Sequence, residues 1–395
     1  MKKTALLLLA LFFAACAEKA PLTVAPGTIP ENPSEADLAS LSAFSLIFAE
    51  NSDGTDDGVR RLIASMQSRG LDFYQSIIGP GDVVILKINC QWAERGGTNT
   101  DLIRAVIQAI LDHPGGFTGE IIVADNGQAQ FGSNRTGGSL EWPNANAANR
   151  SQSALHVIRS FQQAWHRVTG VLWDDFTGVR VQEFSAGDTT NGFVVEDTIR
   201  STGLEITYPK FTTEYGTRVS FKQGIWEAGA YNSAKLKVIN MPVLKSHGGF
   251  QVTGAVKNYM GVPSDRLTSR RAHSSVGRGG MGTQMAETRM PVLNILDMIW
   301  IAPSGGPRSL YSTAVQINKI AASTDPVALD YWASKTILIP EAEKEPGGRA
   351  ASMNPDSTEP GTFGHWLRLS MNELHRAGIR ATMTESEILV VGSSL

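Results

Sequence analysis

The chain has 395 residues, of which 42% are apolar and 18% are charged, a composition typical of a globular protein with a large core. Lysine and arginine together number 35 against 38 for aspartate and glutamate, so the formal net charge is −3. Because there is no basic surplus, the composition does not indicate a nucleic-acid-binding protein.

The first residues predict a targeting signal over residues 1–15. Lys2 and Lys3 precede the apolar run "ALLLLALFF", which is far too short to span a bilayer as a stable helix. The run ends in Phe13-Ala14-Ala15-Cys16, which resembles the lipobox of bacterial lipoproteins. Lipid on Cys16 would hold the protein at the bacterial cell envelope, facing the periplasm or the outer surface. The alternative is an ordinary cleavable signal with an incidental cysteine.

A linker and a single folded domain are predicted to follow. Residues 16–36 contain four prolines and little hydrophobic periodicity, which is typical of an extended spacer. Residues 37–395 are predicted to form one α/β domain. The other cysteine is Cys90, so with Cys16 lipidated we expect neither an intramolecular disulfide nor an iron–sulfur cluster.

Residues 81–126 carry a strand–helix–strand pattern. "GDVVILKIN" is a continuous apolar run, and "GEIIVADN" is a second one. Between them, "TNTDLIRAVIQAILD" has apolar residues at helical spacing after Thr98 or Thr100, either of which could cap the helix. This βαβ unit predicts an α/β fold with a mixed, mainly parallel sheet and helices on both faces.

The rest of the chain is predicted in less detail. A long loop is expected over residues 127–152, a helix over 153–170, an irregular inserted or edge region over 178–229, and a buried strand over 235–244. Residues 266–290 are basic and glycine-rich, which predicts a mobile loop, and 291–300 are a helix or a strand. Helices are expected over 325–338 and 362–378, and a last strand over 387–393.

Polar side chains follow three of the predicted strands. The first strand ends in Lys87 and Asn89, the second in Asp125, and the third leads to Lys245 and His247. In open α/β sheets ligands bind at the carboxyl ends of the strands. Two ammonium groups, an imidazole and an amide at this edge would suit an anionic ligand.

Further candidates lie downstream. A short helix opening at Thr253 or Gly254 would place Lys257 and Asn258 near its first turn, where free N–H groups add to anion affinity and where a buried carboxylate could also lie. Asp325 is predicted to cap the helix that follows it, and Asp330 could pair with one of the lysines.

The predicted mobile loop contains His273 among several arginines. Guanidinium groups bind phosphate and carboxylate bidentately, so arginines such as Arg271 could close over an anion. The glycines Gly277, Gly279 and Gly282 match a dinucleotide-binding pattern by letter, but no strand precedes them and we reject that reading.

Several stretches together resemble the domain of unknown function 362 family. "INMPVLKSHGGFQVTGAVKNYMG" is similar to its signature, and "GDVVILKIN", "VLNILDMIWIAPSGGP" and "ASTDPVALDYWASKTIL" are similar to other segments, so the resemblance covers residues 81–338. It implies that the following residues belong to the family's characteristic set: Lys87, Asn89, Lys245, His247, Lys257, Asn258, His273, Asp297, Asp325 and Asp330. Some relatives carry a cysteine-rich, ferredoxin-like module, which this chain lacks. Ile88 stands where the family usually has proline.

The leading hypothesis is a membrane-tethered enzyme that acts on a small carboxylate or phosphate. His247 would be the general acid and base, because its ordinary pKa lies nearest neutrality. Lys257 or Lys245 could instead be the base or a Schiff-base nucleophile. The substrate would be bound by the remaining candidates: Lys87, Asn89, Asn258, Asp125, His273, Arg271 and Asp330.

Two rival hypotheses use the same residues. One is a non-catalytic lipoprotein that binds an anion, which predicts binding without turnover. The other is a metal-dependent enzyme in which His247 and His273 act with a carboxylate. The carboxylates considered for it are Asp125, Asp297, Asp325 and Asp330. No tight metal-ligand spacing such as H-E-x-x-H is present.

Overall fold

The computed structural model describes residues 34, 37, 41–128, 137–345 and 349–392. The predicted signal peptide, Cys16 and nearly all of the predicted linker lie outside the described residues. Within the described residues, no helix is long and apolar enough to cross a membrane.

The described residues form sixteen strands and ten α-helices. The strands are β1 Ser45–Asn51, β2 Val83–Lys87, β3 Glu120–Asp125, β4 Val168–Leu172, β5 Arg180–Val181, β6 Gly192–Ile199, β7 Glu205–Thr212, β8 Arg218–Ser220, β9 Gly224–Glu227, β10 Ala230–Asn232, β11 Leu236–Asn240, β12 Val243–His247, β13 Gln251–Thr253, β14 Leu293–Ala302, β15 Val315–Ser323 and β16 Ile388–Gly392. The α-helices are α1 Gly58–Gln67, α2 Thr100–Leu111, α3 Ala154–Gln163, α4 Ala255–Asn258, α5 Arg271–Ser275, α6 Gly280–Glu287, α7 Pro326–Ala333, α8 Ile339–Ala342, α9 Ala350–Met353 and α10 Phe363–Arg376.

The larger sheet is mixed and mainly parallel, as predicted. Its strand order is β16-β1-β15-β14-β11-β2-β3-β4, with β12 and β13 attached beside β14. The pairs β14–β11, β11–β2, β2–β3 and β3–β4 are all parallel, whereas β15 runs antiparallel to both of its neighbours. The carboxyl ends of β11, β2 and β3 therefore lie side by side at one edge.

Side chains alternate between two cores, one on each face of the sheet. Along β2, Val84 and Leu86 face a core completed by α1, α2 and α3. Val83 and Ile85 face the opposite core, which is completed by α4, α6, α7 and α10 and by the second sheet. Because these strands are covered on both faces, they read as continuous apolar runs in the sequence.

The segment predicted as an irregular insertion forms a second sheet. Its order is β10-β9-β8-β7-β6-β5, and every pair except β5–β6 is antiparallel. The insertion is therefore regular, contrary to expectation. Its inner face contributes large buried side chains such as Phe193, Phe211 and Phe221 to the core under the main sheet.

Several predicted boundaries are wrong for local reasons. The strand expected over 235–244 divides at Pro242, which has no N–H to donate, into β11 and β12. The helix expected over 153–170 ends at Gln163, since Trp165 adopts a left-handed conformation with φ of 64° and β4 follows. Helix α2 is capped by Asn99, which lies between Thr98 and Thr100, the two residues considered from the sequence. The Asn99 side chain accepts hydrogen bonds from Asp101 N and Leu102 N.

One further region differs from the prediction, and in another the structure decides between two predicted alternatives. Residues 266–290, expected to be a mobile loop, contain α5 and α6, and α6 packs on the sheet through Met281 and Met285. The segment over 291–300 lies in strand β14 rather than in a helix. Strands β1 and β15 were not predicted, although they lie between β16 and β14 in the larger sheet.

Candidate functional site

A cavity of about 360 Å³ lies at the carboxyl ends of β2 and β3 and beside β12 and α4. Eight of the residues singled out in the sequence line it together: Lys87, Asn89, Asp125, Lys245, His247, Lys257, Asn258 and His273. They come from segments up to 186 positions apart in the chain (residue 273 minus residue 87). The cavity is therefore assembled by the parallel sheet, as the position of the strand ends predicted.

Lys87 and Asp125 form a buried ion pair in the floor of the cavity. The Lys87 Nζ lies 2.6 Å from Asp125 Oδ1, and the two side chains are 1% and 3% exposed. Lys87 also donates to the Ile88 carbonyl, and Asp125 Oδ2 accepts the Cys90 N–H at 2.8 Å. Because each charge is matched and hydrogen-bonded, this pair holds the ends of β2 and β3 in register.

Gly261 is confined by this ion pair. A Cβ atom at position 261 would lie 2.1 Å from Asp125 Oδ1 and 2.4 Å from Lys87 Nζ. A glycine is therefore needed where the chain leaves α4 and passes over the pair. This gives a physical reason for the glycine that ends the signature-like segment.

Amide side chains line the wall next to the pair. Asn258 Nδ2 donates to Asn240 Oδ1 at 2.8 Å, and Asn258 Oδ1 lies 3.4 Å from Asn89 Nδ2. Among the described residues, Asn89 Oδ1 and Thr253 Oγ1 are buried polar atoms with no hydrogen-bond partner, and both residues line the cavity. Buried polar groups are rarely left unpaired, so these atoms are available to a ligand.

Lys245 reaches the cavity from strand β12. Its side chain is 1% exposed, and its Nζ donates to the Gly96 carbonyl. Burial, helped by the charges of Lys257 and Lys87, lowers the pKa of Lys245 to about 7. An ordinary lysine is fully charged at neutral pH, whereas this one is balanced between its two protonation states.

Lys257 lies on α4 and is 7% exposed. Its Nζ lies 5.2 Å from the centre of the Phe250 ring, and it makes no hydrogen bond or ion pair with a described residue. Burial and the charge of Lys87 lower the pKa of Lys257 to about 8, although the charge of Asp265 acts in the opposite direction. This amine lines the cavity without a hydrogen-bonded partner among the described residues.

His247 is held as a neutral imidazole. Its Nδ1 accepts the N–H groups of Gly249 and Phe250 at 3.0 and 3.1 Å, which places the ring proton on Nε2. Burial and the charges of Lys257 and Lys245 lower the pKa of His247 to about 2. A proton on Nε2 is therefore available for donation to a ligand, whereas a change in the charge of this ring near neutral pH is not favoured.

His273 lies across the cavity on α5 rather than in a mobile loop. Its Nδ1 contacts Asp265 Oδ2, and its backbone N–H donates to Asp265 Oδ1 at 3.2 Å. Asp265 is 2% exposed and was missed in the sequence, where it reads as an ordinary turn residue after Pro263. The one signal in the sequence that could have pointed to Asp265 is the nearby His273, since a buried carboxylate often pairs with a histidine.

Two predicted ligand-binding residues do not line the cavity. The Arg271 side chain points to the second sheet, where its Nε lies 3.1 Å from Glu205 Oε2. Its neighbour Arg270 lines the cavity in its place. Asp330 is buried under α4 and accepts the N–H groups of Ala255 and Val256 at 2.5 and 2.9 Å.

The position of Asp330 changes the reading of α4. The amides at the start of this helix donate to the Asp330 carboxylate, so they are not free to bind a ligand. Asp330 therefore binds the end of a helix, whereas the sequence had suggested a lysine as its partner. Asp325 caps α7 as predicted, through the N–H groups of Val327 and Ala328. Asp297 lies buried beneath Lys245 and accepts the N–H groups of Asn99 and Ile299.

Other cavity residues were not singled out in the sequence. Gln128 donates to the carbonyls of Met260 and Pro263 and accepts the Asp265 N–H, so it ties β3 to the segment after α4. Apolar surface is supplied by Phe250, Met260, Trp92 and Pro307. No pattern in the sequence distinguishes these residues from core residues.

The donor set for a metal ion is not assembled in the described part of the chain. No three histidine, cysteine, aspartate or glutamate side chains there are grouped so that they could hold one. His247 and His273 both line the cavity, but the Nδ1 of His247 accepts two backbone N–H groups, so its Nε2 carries a proton rather than a free lone pair. The metal-dependent hypothesis therefore gains no support from the geometry.

One comparison with known proteins gives a match. Residues 226–335 match the model of the family described as "Domain of unknown function (DUF362)". The match confirms the resemblance for this segment, which holds Lys245, His247, Lys257, Asn258 and His273. No curated protein matches the chain, and no solved structure does so either.

Proposed function

We propose that this protein is an enzyme that acts on a small molecule bearing a carboxylate or a phosphate. The observation that carries the proposal is the set of three buried lysines that line the cavity, because Lys257 among them has no hydrogen bond or ion pair within the described residues. A buried charge is costly unless it is paired. A bound anion would supply the missing partner.

The proposed roles follow the alternative that the sequence left open. Lys257 is the reacting amine, as base or as nucleophile, because its pKa of about 8 leaves a fraction of the amine neutral at physiological pH. Neutral His247 donates a hydrogen bond from Nε2 to an oxygen of the substrate. Lys245 and the amides of Asn89 and Asn258 bind the anionic group.

Anion binding is tested by calorimetric titration with inorganic phosphate and with a panel of small carboxylates. The substitution Lys257→Met keeps the length of the side chain and removes its charge. We expect it to weaken the binding of the best ligand about tenfold to a hundredfold, the usual cost of losing a charged hydrogen bond.

The matched control is Lys237→Met. Lys237 lies on β11 at the opposite end of the sheet, where its Nζ is 3.9 Å from Asp82 Oδ2. This control should bind as the wild type does. If no compound binds saturably, or if both variants lose affinity equally, the proposal is wrong.

Turnover separates the enzyme from a non-catalytic binding protein. Each compound that binds is incubated with the wild type and with Lys257→Met, and products are followed by NMR. We expect product from at least one compound with the wild type and none with the variant. Binding of several compounds without any product would favour the non-catalytic alternative.

We also propose that lipid on Cys16 tethers the protein to the envelope. The support is the sequence, in which a short apolar run leads to Ala14-Ala15-Cys16. The full-length protein should partition into the membrane fraction of its host, and Cys16→Ser should release it. The proposal is wrong if the wild type is found in the soluble fraction, or if Cys16→Ser stays in the membrane fraction.

A further inference from the structure

We propose that Lys257 forms an imine with its substrate, and that the substrate class is a small 2-oxo acid, in which a carboxylate adjoins a ketone or aldehyde. This inference rests on the proposed function, since it concerns the same cavity. It names the reacting amine, the group that polarises the carbonyl and the cation that binds the acid.

The surroundings of Lys257 are those of a nucleophilic amine. The side chain is 7% exposed and rests against the Phe250 ring, with no carboxylate or carbonyl of a described residue bound to its Nζ. Lys245 differs, because its Nζ donates to Gly96 O. Lys87 differs too, because it is paired with Asp125 at 2.6 Å.

The amine is also available in its reactive form. A lysine attacks a carbonyl only as the neutral amine, and desolvation together with neighbouring cations is a known way to produce it. With a pKa of about 8, roughly a tenth of Lys257 is neutral at about pH 7, far more than for an exposed lysine.

His247 is suited to the carbonyl oxygen. Two backbone N–H groups occupy its Nδ1, so Nε2 carries a proton and the ring stays neutral. A neutral imidazole can donate a hydrogen bond to a carbonyl without repelling the adjacent ammonium groups. It therefore polarises the C=O bond without competing with Lys245 for the negative group.

The acid group follows from the remaining charge. Once Lys257 is neutral or has become an imine, Lys245 still lines the cavity and its nearest carboxylates are bound elsewhere: Asp297 to backbone amides and Asp125 to Lys87. A simple ketone would leave Lys245 bound only to the Gly96 carbonyl and would bring no negative charge to favour its ammonium form. A carboxylate next to the carbonyl meets both requirements within about 360 Å³.

The reaction balances without an oxidant or a further reactant. The Lys257 nitrogen forms a C–N bond as the carbonyl π electrons move to oxygen, giving a carbinolamine. The C–O bond then breaks, and the oxygen leaves as water with the two hydrogens that the amine has lost. The product is an imine on Nζ, which hydrolysis reverses.

The test is reductive trapping on the full-length protein. Wild-type protein is incubated with pyruvate, oxaloacetate or 2-oxoglutarate and sodium cyanoborohydride, which converts an imine into a stable secondary amine. We expect one adduct per chain by intact mass, located at Lys257 by peptide mapping. Lys257→Met should lose this adduct, whereas Lys237→Met should retain it.

A second variant separates binding from reaction. Lys245→Met keeps the nucleophile, so it should form the adduct more than tenfold less efficiently at low pyruvate and recover at high concentration. Circular dichroism of each variant establishes that it is folded before its adduct is scored.

Parallel calorimetry with the oxo acids and with lactate distinguishes the two proposals. Binding of any of these acids without an adduct at Lys257 overturns the imine and leaves the anion site intact. An adduct mapping to other lysines, unchanged in Lys257→Met, also overturns it. If none of the acids binds and no adduct forms, the 2-oxo acid inference is wrong, and the titrations with phosphate and other carboxylates decide separately whether the anion site stands.

Discussion

Three lysines in one cavity differ because their partners differ. Lys87 is neutralised by Asp125, Lys245 donates to a carbonyl, and Lys257 lies over an aromatic ring with no hydrogen bond or ion pair to a described residue. The same side chain can therefore serve as a structural ion, as a binding cation or as a reactive amine. The sequence distinguishes none of these roles, since each depends on the atoms within about 4 Å of the nitrogen.

The lowered pKa of Lys257 predicts how stability changes with pH. The pKa is about 8 in the folded protein against 10.5 ordinarily, so between these values the unfolded chain binds more protons than the folded one. The free energy of unfolding should therefore rise with pH in this window, by about 2 kcal/mol between about pH 8 and pH 9.5. Below about pH 7 the lysine is charged in both states and contributes no slope.

Urea unfolding at several pH values measures this slope. Other groups also titrate in the window, so the informative quantity is the difference between the wild type and Lys257→Met. The variant should gain less stability with pH, while Lys237→Met should follow the wild type. Parallel curves for the wild type and Lys257→Met would show that the pKa of Lys257 is not lowered.

At the scale of elements, the cavity depends on a very short helix. Helix α4 has only four residues, too few to be stable by its own hydrogen bonds. Its first N–H groups are bound by Asp330 of α7, a side chain with no exposed surface. The helix that presents Lys257 and Asn258 is therefore fixed by a contact between two elements 75 residues apart.

We predict that Asp330→Asn lowers the free energy of unfolding by about 2 kcal/mol, because one buried N–H loses its acceptor and faces an amide donor instead. Anion binding should weaken as well, since α4 loses its anchor. Urea unfolding and calorimetry measure the two effects.

Asp57→Asn is a matched control for this change. Asp57 precedes α1 but its side chain makes no capping hydrogen bond, and its contact with Arg60 is exposed. Its effect should stay below about 0.5 kcal/mol. A loss at Asp330 no larger than at Asp57 would mean that α4 does not need its cap.

At the scale of the whole molecule, the site joins two parts of the chain. The family match covers residues 226–335, whereas Lys87, Asn89 and Asp125 come from β2 and β3, outside it. Strand β2 pairs directly with β11, and this pairing brings the two sets together. The matched segment alone therefore holds only part of the cavity.

Hydrogen exchange should reveal this joint construction. Saturating phosphate or the best carboxylate should slow amide exchange both at residues 87–92 and at residues 245–261, because one ligand contacts both. Helix α1, which lines a separate cavity of about 380 Å³, should be unaffected. Protection limited to residues 245–261 would exclude β2 and β3 from the site.

The parallel half of the sheet and the edge at which the candidate residues gather follow from the amino-acid sequence. The apolar runs of β2 and β3 and the polar residues after them predicted a parallel sheet with a cavity at its carboxyl edge, since strands covered on both faces must be apolar and parallel strands end together. The resemblance of the segment around His247 and Lys257 pointed to the same edge.

The partners and the charge of each residue at this edge depend on the folded structure. The Arg271 side chain pairs with Glu205, Asp330 binds the first amides of α4, and burial keeps the His247 ring neutral. Partners from distant elements therefore set the charge and orientation of these groups. A sequence fixes which groups a chain carries and their spacing along it. The protonation state of a group depends on atoms that only folding brings within a few ångströms.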